Sequence, residues 1–115
     1  TTTLGPHRDD LGIRLGNRAI KNVASRGQLK DVLLRLKLSE AAAIQCRRGE
    51  PPVLLLDDAF SETDDERRRH MIGWLPRDTQ IFLTGTDRQL AKDLGDRECR
   101  RFRIRKGEVE AGSWD

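Results

Sequence analysis

Three short clusters in this chain carry side chains that could do chemistry. The first is Asp57-Asp58, set directly after the apolar run Val53-Leu54-Leu55-Leu56. Adjacent carboxylates at a strand end suit phosphoryl transfer, where one holds the magnesium of a nucleotide and the other orients or deprotonates the attacking water. Acids also close buried strands simply because the chain is leaving the core, so the pair by itself leaves both readings open. The second cluster is Ser25-Arg26-Gly27-Gln28, which leads into a helical pattern. N–H groups at a helix start, with a glycine for close backbone approach and a serine hydroxyl, can receive an anion. The same residues also make an ordinary capped helix. The third is Thr86-Asp87, after the second apolar run, where a polar pair commonly caps a helix.

The elements that must position these clusters follow from the hydrophobic pattern. Pro51-Pro52 opens the run through Leu56, which reads as a strand buried on both faces. In open α/β sheets, ligand chemistry gathers at the carboxyl ends of such strands. Gln80-Ile81-Phe82-Leu83-Thr84 reads as another buried strand, with Gly85-Thr86-Asp87 as its exit loop. Asp87 is expected to cap a short helix through Leu94. Upstream, Leu11, Ile13 and Leu15 alternate with polar or small residues, Gly16-Asn17 can turn, and a paired strand from Arg18 to about Val23 is expected. A helix from the Ser25 cluster to about Arg47 carries Leu29, Val32, Leu33, Leu36, Ala43 and Ile44 as its core face, with Glu40 the exception. Thr63 and Glu66 fit a capping box for a later helix, with Asp64–Arg68 and Asp65–Arg69 at paired-charge spacing and Met71, Ile72 and Leu75 as its apolar stripe. A final hairpin is expected from Arg101–Arg105 and Glu108–Glu110 around Lys106-Gly107.

Composition sets the frame. The chain has 115 residues, 36% hydrophobic and 36% charged, with 22 Lys and Arg against 19 Asp and Glu. A small core under a highly charged surface fits one domain. The net charge of +3 permits contact with nucleic acid without requiring it. Cys46 and Cys99 stand in no metal-ligand spacing and read as reduced thiols. No stretch is long and apolar enough to span a bilayer. His70 reads as a solvated residue, and Arg67–Arg69 and Arg97–Arg105 read as exposed faces neutralised by acids or as phosphate contacts.

The order of the motifs resembles the ABC-type ATPase core. Ala24-Ser25-Arg26-Gly27-Gln28 looks like the signature motif, Val53 to Asp58 like Walker B with the catalytic acid, and Ser61-Glu62-Thr63-Asp64 like the D-loop. Thr86 falls at the switch position. Within that group the chain is similar to the RecF family of DNA recombination-repair ATPases, through Gly5-Pro6-His7-Arg8-Asp9-Asp10, Leu54-Leu55-Leu56-Asp57-Asp58 and the Thr86-Asp87 ending. It departs at Arg26, where Gln is more usual, at Leu29-Lys30, at Gly85 where Thr is more usual, and at Thr63 where Leu is common. No Gly-x-x-x-x-Gly-Lys-Ser/Thr occurs in these residues.

The resemblance therefore implies an α/β fold: part of an ABC-type, P-loop NTPase-like head, with a mixed sheet and flanking helices but without the Walker A half. Residues 1–115 would be the C-terminal part of the ATPase domain, inactive by themselves. It implies ATP and Mg²⁺ as cofactors, with Mg²⁺ held by Asp57 through water, and Asp58 and Thr86 as catalytic residues. Ser25, Gly27 and Gln28 would contact nucleotide held by a partner copy, and Ser61 and Asp64 would form the D-loop of an ATP-dependent homodimer. Implied partners are DNA at gaps or single/double-strand junctions and recombination mediators of the RecR/RecO type, in the cytoplasm, within the SOS response, with no membrane. The alternatives are the head of another ABC-type ATPase of the SMC kind and a non-catalytic α/β interaction module. His7 to Asp10 read either as a polar network supporting the nucleotide lobe or as a surface turn.

Overall fold

The computed structural model describes residues 9–111. Gly5 to Arg8 of the Gly5–Asp10 motif lie outside the described residues, while Asp9 and Asp10 are exposed. The chain opens on a small antiparallel hairpin, β1 (Arg14–Leu15) with β2 (Arg18–Ala19). The second strand was expected to reach Val23. Instead it stops at Ala19 and the chain turns into one helical turn, α1 (Ile20–Val23), which buries Ile20 and ties its N–H to the Ile13 carbonyl at 2.9 Å.

The longest element is α2 (Arg26–Arg48). Ser25 caps it, and Gly49 ends it in the left-handed conformation (φ 81°) that glycine adopts without a Cβ penalty. The core face is not the one expected. Leu34 and Ala41 are buried and Leu38 packs on the same side, whereas Leu33 and Leu36 are 49% and 43% exposed. Two apolar ridges run along this helix, and the core took the one whose spacing is 34, 38, 41.

A parallel pair follows, β3 (Leu54–Leu56) with β4 (Ile81–Leu83), in the register Leu54↔Ile81, Leu55↔Phe82, Leu56↔Leu83. Between them runs α3 (Asp65–Gly73), and after β4 comes α4 (Arg88–Asp93). Both strands were expected to be buried on two faces. They are buried on one: Leu54 and Leu56 point into the core, while Leu55 is 73% and Phe82 55% exposed. Successive side chains of a strand point to opposite faces, and among the described residues only one face has a covering layer. The core itself is Leu34, Leu56, Phe60, Met71, Ile72, Leu75 and Leu90, with Met71 fully buried.

The chain closes on the hairpin β5 (Phe102–Arg105) with β6 (Glu108–Ala111), turned at Lys106-Gly107 as expected. The expected single mixed sheet is absent from the described residues, and three separate two-stranded sheets take its place. The radius of gyration is 16.8 Å, against about 13 Å for a close-packed chain of this length. No helix among the described residues is long and apolar enough to cross a membrane.

Candidate functional site

The acid pair sits at the carboxyl end of β3, and both Asp57 and Asp58 are exposed. Asp58 has φ 51°, a left-handed backbone that Asp adopts more readily than most residues. Its carbonyl accepts from the Ser61 N–H at 3.4 Å, the Ser61 hydroxyl at 3.2 Å and the Lys30 ammonium at 3.1 Å. Lys30 also donates to the Ser61 hydroxyl. Since Lys30 stands one turn into α2, the helix that starts at Ser25 is tied directly to the acid loop.

That helix start is tightly built. The Ser25 hydroxyl accepts from the Gln28 N–H at 3.2 Å, and the Gln28 side-chain oxygen accepts from the Ser25 N–H at 2.9 Å. This reciprocal capping box stands at Ser25, not at Thr63–Glu66 as expected. It consumes one acceptor on Ser25 and the oxygen of Gln28. It leaves the serine O–H and the Gln28 amide NH₂ as donors, with the first-turn N–H groups of Arg26 and Gly27 lacking an intrahelical partner.

Across from it, Asp64 caps α3 by accepting from the Arg67 N–H at 2.8 Å. This bond holds the Asp64 carboxyl below its usual value, with the nearby Arg67 charge adding to the effect. Thr63 instead turns its hydroxyl to the Phe60 carbonyl. Ser25, Arg26 and Gly27 line one side of a groove of about 430 Å³, with Glu62, Thr63, Asp64 and Arg67 on the other. Arg26 spans it to Glu62 at 3.0 Å. The structure thus brings together the signature-like and D-loop-like residues, as well as the D-loop-like Ser61 and Asp58. Thr86 is exposed and makes no hydrogen bond to either acid.

Sequence reasoning missed three residues here. Thr84, the first residue after β4, donates its hydroxyl to Asp57 Oδ1 and accepts from the Asp58 N–H at 3.0 Å. Arg68, expected on a solvated face, is 4% exposed and joins three carboxylates: Asp93 at 2.6 Å, Asp65 at 2.7 Å and Asp87 at 3.5 Å. The α3 charges therefore pair at i,i+3 (Asp64–Arg67 at 3.7 Å, Asp65–Arg68) and not at the expected i,i+4. Burial pushes the Asp93 carboxyl up, but hydrogen bonds from Arg68 and Gln89 outweigh it and leave the group below its usual value. The same bond to Asp93 raises Arg68, against the opposing effect of burial. Arg97, also expected to be exposed, donates to the carbonyls of Ile72 at 3.1 Å, Leu75 at 2.8 Å and Pro76 at 3.3 Å, closing the end of α3. Arg101 donates to the Ala91 carbonyl at 3.1 Å. His70 is exposed and rests against Trp74, with ring centroids 5.5 Å apart, and Arg35 covers the Trp74 ring at 3.8 Å. Asp87 caps α4 as expected, accepting from the Gln89 N–H at 2.8 Å.

Small sheets and helices in α/β order, with an acid pair at the end of a parallel strand and a capped helix start tied to it, are compatible with part of an ABC-type ATPase head. No family model matches the chain, and no solved structure matches it. Curated proteins do. The chain is 39% identical over 110 residues to the DNA replication and repair protein RecF of Geotalea uraniireducens, covering 95% of this chain and 30% of that protein. It is 42% identical over 114 residues to RecF of Chloroflexus aurantiacus, covering 96% and 29%. Against RecF of Lactobacillus delbrueckii it is 40% identical over 109 residues, covering 95% and 29%. The chain spans about three tenths of the length of these relatives. The chain is thus similar to RecF proteins over nearly its whole length.

Proposed function

We propose that this chain is the signature, Walker B and D-loop part of a RecF-like ABC-type ATPase head, serving DNA replication and repair. The whole protein would bind DNA at gaps or single/double-strand junctions and help load a recombinase with mediators of the RecR/RecO type, working as an ATP-dependent homodimer. One observation carries the reading. In a chain similar to RecF throughout, the serine-capped helix start and the acid pair meet through Lys30, which binds the Asp58 carbonyl and Ser61 together.

The donor set fits a nucleotide-borne Mg²⁺. Among the described residues no cluster of three or more His, Cys, Asp or Glu could hold a metal by itself. Mg²⁺ is ordinarily held by one or two carboxylates together with waters and substrate phosphates, which asks of the protein only what Asp57 offers. When bound, the ion would neutralise charge on the transferring phosphoryl group. Asp57 would hold it through water, and Asp58 would orient and polarise the attacking water. Ser25, Gly27 and Gln28 would donate to nucleotide on a partner copy, for which the open donors at the α2 start are suited. Ser61 and Asp64 would face the partner as the D-loop. Thr86, exposed in the exit loop, would offer its hydroxyl to the nucleotide's terminal phosphate.

The test is ATP turnover by the full-length parent, with and without gapped DNA, for wild type and Asp58→Asn. The expected outcome is turnover by wild type and nucleotide binding without turnover by the variant. Equal turnover in both proteins, or no nucleotide binding by wild type, would refute the reading.

A further inference from the structure

Asp57 and Asp58 share one hydroxyl. Thr84 donates its O–H to Asp57 Oδ1 and accepts from the Asp58 N–H at 3.0 Å, so a single side chain spans both acids. The register explains why. Leu56 pairs with Leu83, and the Thr84 N–H continues the ladder to the Leu56 carbonyl at 3.0 Å, which sets Thr84 beside the residues that follow β3. The bond occupies one oxygen of Asp57 and leaves Oδ2 without a protein donor among the described residues.

Asp58 needs this support. A left-handed backbone at a non-glycine residue persists only where its surroundings hold it. Thr84 holds the N–H of Asp58, and Lys30 and Ser61 hold its carbonyl. A valine at position 84 keeps the branched shape and loses both bonds. A serine keeps both bonds and loses a methyl group.

We infer that Thr84 is the positioning residue of the acid pair: its hydroxyl turns the Asp57 carboxylate toward a divalent cation and fixes the Asp58 backbone. The inference rests on the ATPase reading and deepens it, since Thr84 acts through the two acids and not on nucleotide. Hydrogen-bond partners behind a metal-holding group typically change metal affinity or activity by about 10–100-fold.

The experiment measures Mn²⁺ binding by electron paramagnetic resonance to the ADP-bound full-length parent, for wild type, Thr84→Val, Thr84→Ala and Thr84→Ser, with circular dichroism on each. Thr84→Val and Thr84→Ala are expected to weaken Mn²⁺ binding about tenfold while remaining folded, and Thr84→Ser to stay within about twofold of wild type. Wild-type affinity in the valine and alanine variants overturns the inference. So does a serine variant that falls as far as valine. Loss of the folded state in both valine and alanine variants also overturns it, because the hydroxyl then serves stability alone. If wild type binds no Mn²⁺ in the presence of ADP, the ATPase reading itself fails and the inference with it; wild-type binding with unchanged variants removes only the role of Thr84.

Discussion

Replacing Arg68 by methionine tests where the stability of this fold resides. Arg68 holds three carboxylates, but they are not equal. Asp65 and Asp87 are 70% and 60% exposed, so their pairing is screened and worth little. Asp93 is 4% exposed, and its bond to Arg68 Nε is 2.6 Å. The Arg68→Met variant keeps the apolar stem and strands the Asp93 carboxylate, whose remaining donor is Gln89 Nε2 at 3.3 Å. Removing one member of a buried ion pair costs about 3–5 kcal/mol. With a urea slope of about 1–3 kcal/mol per molar, that lowers the unfolding midpoint by roughly 1–5 M. The double variant Arg68→Met, Asp93→Leu removes both charges and is expected to recover more than half of the loss, since an apolar pair can replace an ionic one at little cost. The folded Asp93 carboxyl lies below its usual value, so between that value and the unfolded value of about 4 the unfolded chain binds more protons. Stability from this pair is therefore fully present above about pH 4 and is lost as pH falls through the folded value. The double variant lacks this slope. A loss under about 1 kcal/mol in Arg68→Met, or a double variant as unstable as the sum of its parts, refutes the reasoning.

Two further variants probe the rest of the frame by urea unfolding. Leu56→Ala, at a position 6% exposed, is expected to cost about 2–5 kcal/mol. Its neighbour Leu55→Ala, at 73% exposed, should stay within about 0.5 kcal/mol; equal losses would show that both faces of β3 are packed. Ser25→Ala removes the capping acceptor at the start of α2 and is expected to cost about 1 kcal/mol. An unchanged midpoint there would mean that the Lys30 tether alone holds the helix start.

The placement of the acids and of the caps at Ser25 and Asp87 was legible in the sequence because it rests on local rules, whereas the cap of α3 falls on Asp64 and not on the expected Thr63. A serine before a helical pattern, with Gln28 three residues on, meets its own backbone wherever the helix lies. Asp57-Asp58 falls at a strand end because the apolar run stops there. Asp87 caps α4 for the same local reason. The turn at Lys106-Gly107 is equally short-ranged.

Burial and long-range pairing were not legible, because they depend on what lies opposite. Alternation cannot say which face of β3 receives a covering layer, and only the packing of Leu34, Phe60 and Met71 selected Leu56 over Leu55. Helix α2 carries two apolar ridges of similar spacing, and the core chose between them. Arg68 looks like one of three exposed arginines until Asp93, 25 residues away, is brought against it. Thr84 looks like the polar end of a strand until the parallel register of β3 and β4 sets it beside Asp57. The caps at Ser25 and Asp87, the turn at Lys106-Gly107 and the strand end at Asp57 were thus determined by the sequence over three or four residues. The covered faces, the buried charge and the hydroxyl that spans the acid pair were decided by tertiary structure, because burial and ion pairing arise only between segments distant in the chain.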